Sequence, residues 1–69
     1  METTQIQDEV VAALEKRGFR INDTISGNED GAACVLLSRK RKSTTHYAEV
    51  EADGLVNGTS LATFLLGCN

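Results

Sequence analysis

The spacing of apolar positions changes along the chain from helical to alternating and back, and these changes divide it into elements. Ile6, Val10 and Leu14, with Val11 and Ala13 beside them, form a stripe at helical spacing, which predicts a helix from Thr4 to Arg17. Thr4 followed by Gln7 fits a capping box, in which each side chain satisfies a backbone N–H of the first turn. Asp8 and Glu9 sit near the positive end of the helix dipole, and Lys16 and Arg17 near its negative end. Gly18 stands where a left-handed residue ends a helix, and Phe19 is then expected to fold back on Leu14. From Phe19 to Ile25 the pattern alternates. Phe19, Ile21 and Ile25 are expected on one face, with Arg20, Asn22 and Thr24 on the other, as in a half-buried strand. Ser26–Gly31 is dense in turn formers and reads as a hairpin loop, with an Asx turn at Asn28 or Asp30.

Ala32–Lys42, AACVLLSRKRK, is the most apolar run, and it predicts the central strand. Ala33, Val35 and Leu37 alternate with Ala32, Cys34 and Leu36, so both faces are apolar. Beyond Ser38 both faces turn cationic and the strand end is expected to project into solvent. A turn at Ser43–Thr45 leads to a third strand, His46 to Ala52, with Ala48, Val50 and Ala52 inward and Tyr47, Glu49 and Glu51 outward. Asp53-Gly54 ends the sheet, and Leu55 and Val56 cross back over the core. Thr59 is the preferred N-cap of a last helix whose stripe is Leu61, Phe64 and Leu65 and whose stop signal is Gly67. A helix this short holds only when docked, here beside the first helix on the same sheet face. The expected fold is α+β: an α-β-β-β-α two-layer sandwich, a three-stranded antiparallel meander with both helices on one face.

Sixty-nine residues hold a single domain. A chain of this length buries only roughly 60% of its unfolded surface, so its stability is small. Cys34 and Cys68 are too few for a disulfide framework. No apolar run approaches a membrane span, and no secretory signal is visible. The expectation is a cytoplasmic protein with both thiols reduced and no membrane contact; a Cys34–Cys68 bridge is the alternative.

The net charge of −3 argues weakly against a dedicated nucleic-acid binder, but its distribution is informative. All seven cations fall in two clusters, Lys16, Arg17 and Arg20, then Arg39, Lys40, Arg41 and Lys42. If the clusters meet in space, the molecule is electrostatically two-sided and can neutralise phosphates. The competing reading is a solvated turn, or pairing with Glu49 and Glu51 across the hairpin. Catalysis finds little support. Cys34 with the single histidine, His46, is the only nucleophile–base pair, and it reads as a packed thiol and a solvated imidazole. Glu49, Glu51 and Asp53 read as a solvated outer face. Two thiols and one imidazole do not make a closed metal site, and no glycine pattern fits a phosphate loop. No cofactor is expected. The sheet face away from the helices should show Cys34, Leu36 and Tyr47 ringed by Arg20, Asn22, Ser38 and Glu49, an apolar centre with a polar rim suited to a protein partner. Strand edges offer a second route, self-pairing into a homodimer through the first or third strand.

The element order, with Leu14-Glu15-Lys16-Arg17-Gly18-Phe19 at a helix-to-strand junction and Gly58-Thr59-Ser60-Leu61 at the start of the last helix, resembles double-stranded-RNA-binding-like folds and in particular HicA-type toxins. The resemblance implies the fold. The ribonuclease histidine of that family would fall near Gly31-Ala32-Ala33, where this chain has none, so no functional residue carries over. The leading expectation is a small non-enzymatic protein-binding module, of the kind found as accessory proteins of phage or mobile elements. The alternative is contact with a nucleic-acid duplex backbone through the two basic clusters.

Overall fold

The computed structural model describes residues 2–27 and 32–68. Helix α1 spans Gln5–Lys16, strands β1, β2 and β3 span Arg20–Ser26, Ala33–Arg41 and Thr44–Val50, and helix α2 spans Leu61–Gly67. The strands form an antiparallel sheet in the order β1-β2-β3, so the expected α-β-β-β-α meander is the fold. The core joins Val11 and Leu14 of α1 to Val35, Leu37, Ala48 and Val50 on the inner sheet face. Val56 and Cys68 close it, and Leu61, Phe64 and Leu65 of α2 pack against it.

The capping box forms as the sequence predicts. The Gln7 amide N–H donates to Thr4 Oγ1 at 3.1 Å and the Thr4 amide donates to Gln7 Oε1 at 3.1 Å. At the other end Gly18 takes φ 95°, a left-handed conformation that costs a residue with a Cβ. Its N–H then reaches Glu15 O and the Phe19 N–H reaches Leu14 O, which is the Schellman pattern. The buried stripe of α1 is shifted one position from expectation. It runs Gln7, Val11 and Leu14, while Ile6 is 52% exposed and Val10 only partly buried. The reason is Gln7, whose Nε2 donates to Ala33 O at 2.7 Å and Val50 O at 2.8 Å. Fully buried, this side chain sits at the end of the β2–β3 ladder, whose last pair is Val35 with Val50, and brings a donor to a carbonyl of each strand there.

A register shift between Ile21 and Asp23 corrects the predicted alternation of β1. Ile21 faces Leu37 on the inner side, but the extra residue puts Ile25 opposite Cys34 on the outer side and brings Thr24 inward opposite Val35. The loop expected at Ser26–Gly31 and its Asx turn at Asn28 or Asp30 lie largely outside the described residues. The β2–β3 turn is tighter than predicted. Arg41 pairs with Thr44, so Lys42 and Ser43 alone make the loop, with Lys42 at φ 58°. The third strand ends at Val50 rather than Ala52.

After β3 the chain doubles back along that strand's outer edge. Glu51 N–H donates to Leu55 O, Asn57 N–H to Glu49 O, and Val56 and Thr59 exchange both backbone bonds around Asn57-Gly58. Both of those residues have positive φ, 51° and 80°, the requirement of a type I′ turn. This pairing occupies Thr59, so Ser60, not Thr59, caps α2 by accepting from the Thr63 N–H. Gly67, expected just past the C-cap, is the last helical residue and Cys68 the C-cap, so the helix ends two positions later than predicted.

Candidate nucleic-acid interface

The fold brings the two basic clusters to one end. Lys16 and Arg17 close α1, the chain reverses through Gly18, and Arg20 opens β1 opposite Ser38 of β2. One residue further along β2 begins Arg39–Arg41, and Lys42 tops the hairpin. Lys16, Arg17, Arg20, Lys40, Arg41 and Lys42 are all exposed. Among the described residues none of them forms an ion pair with an acid. The alternative pairing of the second cluster with Glu49 or Glu51 across the hairpin does not occur. Arg39, Lys40 and Arg41 face His46, Thr45 and Thr44, whereas Glu49 faces Leu36. Glu49, Glu51 and Asp53 gather instead around a hollow of about 300 Å³, shared with Ile25 and Cys34, at the opposite end of the sheet. The molecule is therefore electrically polar along its strands, with Glu15 the acid on the last turn of α1.

Arg39 departs from the solvated-tip expectation. It lies on the inner face, and its guanidinium carbon stands 4.8 Å from the Phe19 ring centroid, with Phe19 in turn 5.8 Å from Phe64. Nη1 donates to Arg17 O at 3.0 Å and Nη2 to Cys68 O at 3.1 Å, the C-cap carbonyls of α1 and α2. One cation thus neutralises the negative ends of both helix dipoles. Nη2 also lies 3.5 Å from His46 Nδ1. The buried Nε has no partner among the described residues. Arg39 is a structural tie, and the surface available to a ligand is that of the other cations.

The outer sheet face carries the second predicted patch, changed in content. Neither helix covers it. Cys34 is on it but only 5% exposed, Leu36 is half-buried, and Tyr47 is 68% exposed. Ile25, which the β1 bulge rotates outward, joins them. Ser38 lies between Arg20 and Tyr47 in one cross-strand row, and accepts a 2.8 Å hydrogen bond from Asn22 Nδ2. Lys40, two residues beyond Ser38, projects from the same face. The predicted apolar patch and the predicted basic patch therefore share a border at Tyr47.

The predicted pair of Cys34 with His46 does not meet. Cys34 lies on the outer face and His46 on the inner face opposite Arg39. Burial pushes the Cys34 thiol up from 9.0 to about 11, helped by its hydrogen bond to Glu49 and the negative charges of Glu49 and Glu51. The Sγ–Oε1 distance is 3.4 Å. Cys34 and Cys68 are free and separated by the sheet, since Cys68 belongs to the inner core. Alkylation of Cys34 by iodoacetamide at pH 8 is expected to be about 100-fold slower than in the urea-unfolded chain, following its smaller thiolate fraction. Because folding favours the protonated thiol, its contribution to stability is whole below pH 9.0 and is lost as pH rises toward 11. Equal rates in the folded and unfolded chain, read by mass spectrometry at Cys34, would contradict this environment. Among the described residues no group of three or more His, Cys, Asp or Glu is placed to hold a metal ion, and no helix is long and apolar enough to cross a membrane.

Sequence reasoning missed Gln7 as a core residue, because its place at the third position of the helix explained it fully as a capping partner. It also missed Asn57, whose Oδ1 accepts from Glu49 N–H at 2.8 Å and whose Nδ2 donates to Tyr47 O at 2.9 Å. The signal for Asn57 was present in the Asn-Gly dipeptide, the strongest short hairpin cue. No protein-family model matches the chain, and no curated protein or solved structure is significantly similar to it.

Proposed function

We propose that this chain is a non-enzymatic docking module of the cytoplasm whose partner is a nucleic acid, held by its phosphates at the cationic end. The observation that carries the reading is the convergence of every lysine and arginine of the chain on one end, six of them exposed and without acidic partners among the described residues. A net negative charge does not oppose it, because the acids around Glu49, Glu51 and Asp53 lie at the far end and orient the molecule in the field of a polyanion.

The test must spare Arg39, which the fold needs. The triple variant Lys40→Ser, Arg41→Ser, Lys42→Ser is expected to melt with the wild type. It should bind labelled oligonucleotides at least about tenfold more weakly at low salt, and the slope of log affinity against log salt should flatten by about 2 to 3. Binding unchanged by the triple variant would overturn the reading.

A second reading is a protein partner on the outer sheet face, favoured by the clustering of Ile25, Leu36 and Tyr47 there. That partner is a different protein or, through the same face or the edge of β1, another copy of the chain. It predicts that Leu36→Asp, not the charge variant, abolishes association, and light scattering at two concentrations reports the homodimer.

A further inference from the structure

We infer that the nucleic acid is single-stranded and that one of its bases stacks on Tyr47, with the sheet face beside the cationic end as the platform; this rests on the phosphate-binding reading above. Contacts to a duplex backbone would use the cations and leave the ring unexplained. Yet Tyr47 is the most exposed aromatic of the chain, 68% accessible, and it stands at the border of the basic surface. Arg20, Ser38 and Tyr47 form one row across the three strands, so Arg20 and the phenol are two strand spacings apart, about 10 Å. Lys40 stands diagonally next to Tyr47 on the same face, where cross-strand side chains reach one another. With both cations on the β2 side of the ring, a single strand can lay a base on Tyr47 and run its phosphates over Lys40 and Arg20.

The strand that carries the ring is fixed at its edge. The Tyr47 carbonyl accepts from Asn57 Nδ2 and the Glu49 N–H donates to Asn57 Oδ1, so one side chain ties β3 from Tyr47 to Glu49. Ser38, oriented by Asn22, places a hydroxyl between the ring and Arg20. Leu36 and Glu49, the next pair along the face, border the platform on the side away from the cations. An acid there disfavours phosphates, so the strand is directed toward Lys40 and the hairpin tip rather than along the length of the sheet.

The chain has one tyrosine and no tryptophan, so its intrinsic emission reports on Tyr47 alone. Titration with a 12-nucleotide oligothymidine is expected to quench that emission, whereas heparin, a polyanion without bases, should bind without quenching it. By fluorescence anisotropy, Tyr47→Ala should weaken oligothymidine binding about tenfold, the order of one base–aromatic stack, and leave heparin binding and the salt slope unchanged. Tyr47→Phe should bind as the wild type does. If Tyr47→Ala binds oligothymidine undiminished while the Lys40–Lys42 triple variant loses it, stacking is overturned and the phosphate reading stands. If a 12-base-pair duplex binds more tightly than the single strand, the single-strand assignment is overturned in favour of a duplex. If the wild type binds none of these at low salt, both readings fall together.

Discussion

Gln7→Leu is expected to destabilise the protein by about 2–4 kcal/mol although it preserves side-chain size and hydrophobicity rises. The two carbonyls that Gln7 serves, Ala33 O and Val50 O, lie at the end of the β2–β3 ladder under α1. Leucine takes the side-chain donor from both in a place the native side chain fills completely; a buried carbonyl left without a donor costs about 1–3 kcal/mol, and a lost hydrogen bond about 0.5–1.5 kcal/mol. Gln7→Ala should cost more, since it adds a cavity. For a chain of this length the whole stability is on the order of 3–10 kcal/mol at about 0.05–0.15 kcal/mol per residue, so either variant removes a large share of it. Gln7→Glu provides the complementary test. A carboxylate aimed at two carbonyls is repelled, and the folded state raises the pKa of the introduced acid. The part of its penalty due to charge is therefore absent below about pH 4, the ordinary glutamate range, and grows as pH rises above it, while the single O–H of the neutral acid still serves only one of the two carbonyls. Urea unfolding at pH 7 and pH 4, each relative to the wild type, measures both effects. A Gln7→Leu variant as stable as the wild type would show that the carbonyls find water and that the amide is only a spacer.

Arg39 is the second position of large expected effect. Arg39→Met keeps the aliphatic contact with Phe19 but removes both hydrogen bonds to the helix C-caps, and is expected to cost about 2–3 kcal/mol. Arg39→Lys should recover only part of this, because an ammonium is a single point and cannot span Arg17 O and Cys68 O as a planar fork does. The neighbouring Lys40→Met, exposed and unpaired among the described residues, should stay within about 0.5 kcal/mol of the wild type. Thermal unfolding of the three variants tests the contrast. Equal losses at positions 39 and 40 would mean that the run acts only through its summed charge. The result also decides how binding data are read, since a variant that includes Arg39 reports on folding as well as on phosphate contact.

The sequence revealed the architecture wherever one local signal sufficed. The capping box at Thr4 and Gln7, the Gly18 reversal and the two-faced apolar run of β2 each follow from their own residues, and together they imply the layer order. What escaped was set by contacts distant in sequence. Gln7 meets Ala33 and Val50, which are 26 and 43 residues away, so its core role is invisible in α1 alone. The bulge at Ile21 and Asp23 adds one residue to β1 and inverts the face of Ile25, a change alternation cannot register. The candidate site was half legible. Its cations and Tyr47 are plain in the sequence, but their common border depends on the register that sets Ser38 beside both Arg20 and Tyr47. The structural part of Arg39 is hidden for the same reason, because nothing in an RKRK run distinguishes the one member whose alternation points it at two helix ends.

The segment that returns along β3 has a consequence for assembly. From Tyr47 to Glu51 that rim of the sheet already has its hydrogen-bonding groups engaged by Leu55 and Asn57. The β1 rim, by contrast, has no neighbouring strand among the described residues. Two molecules that joined there, β1 to β1, would each use up that rim, so association by this route stops at a closed pair.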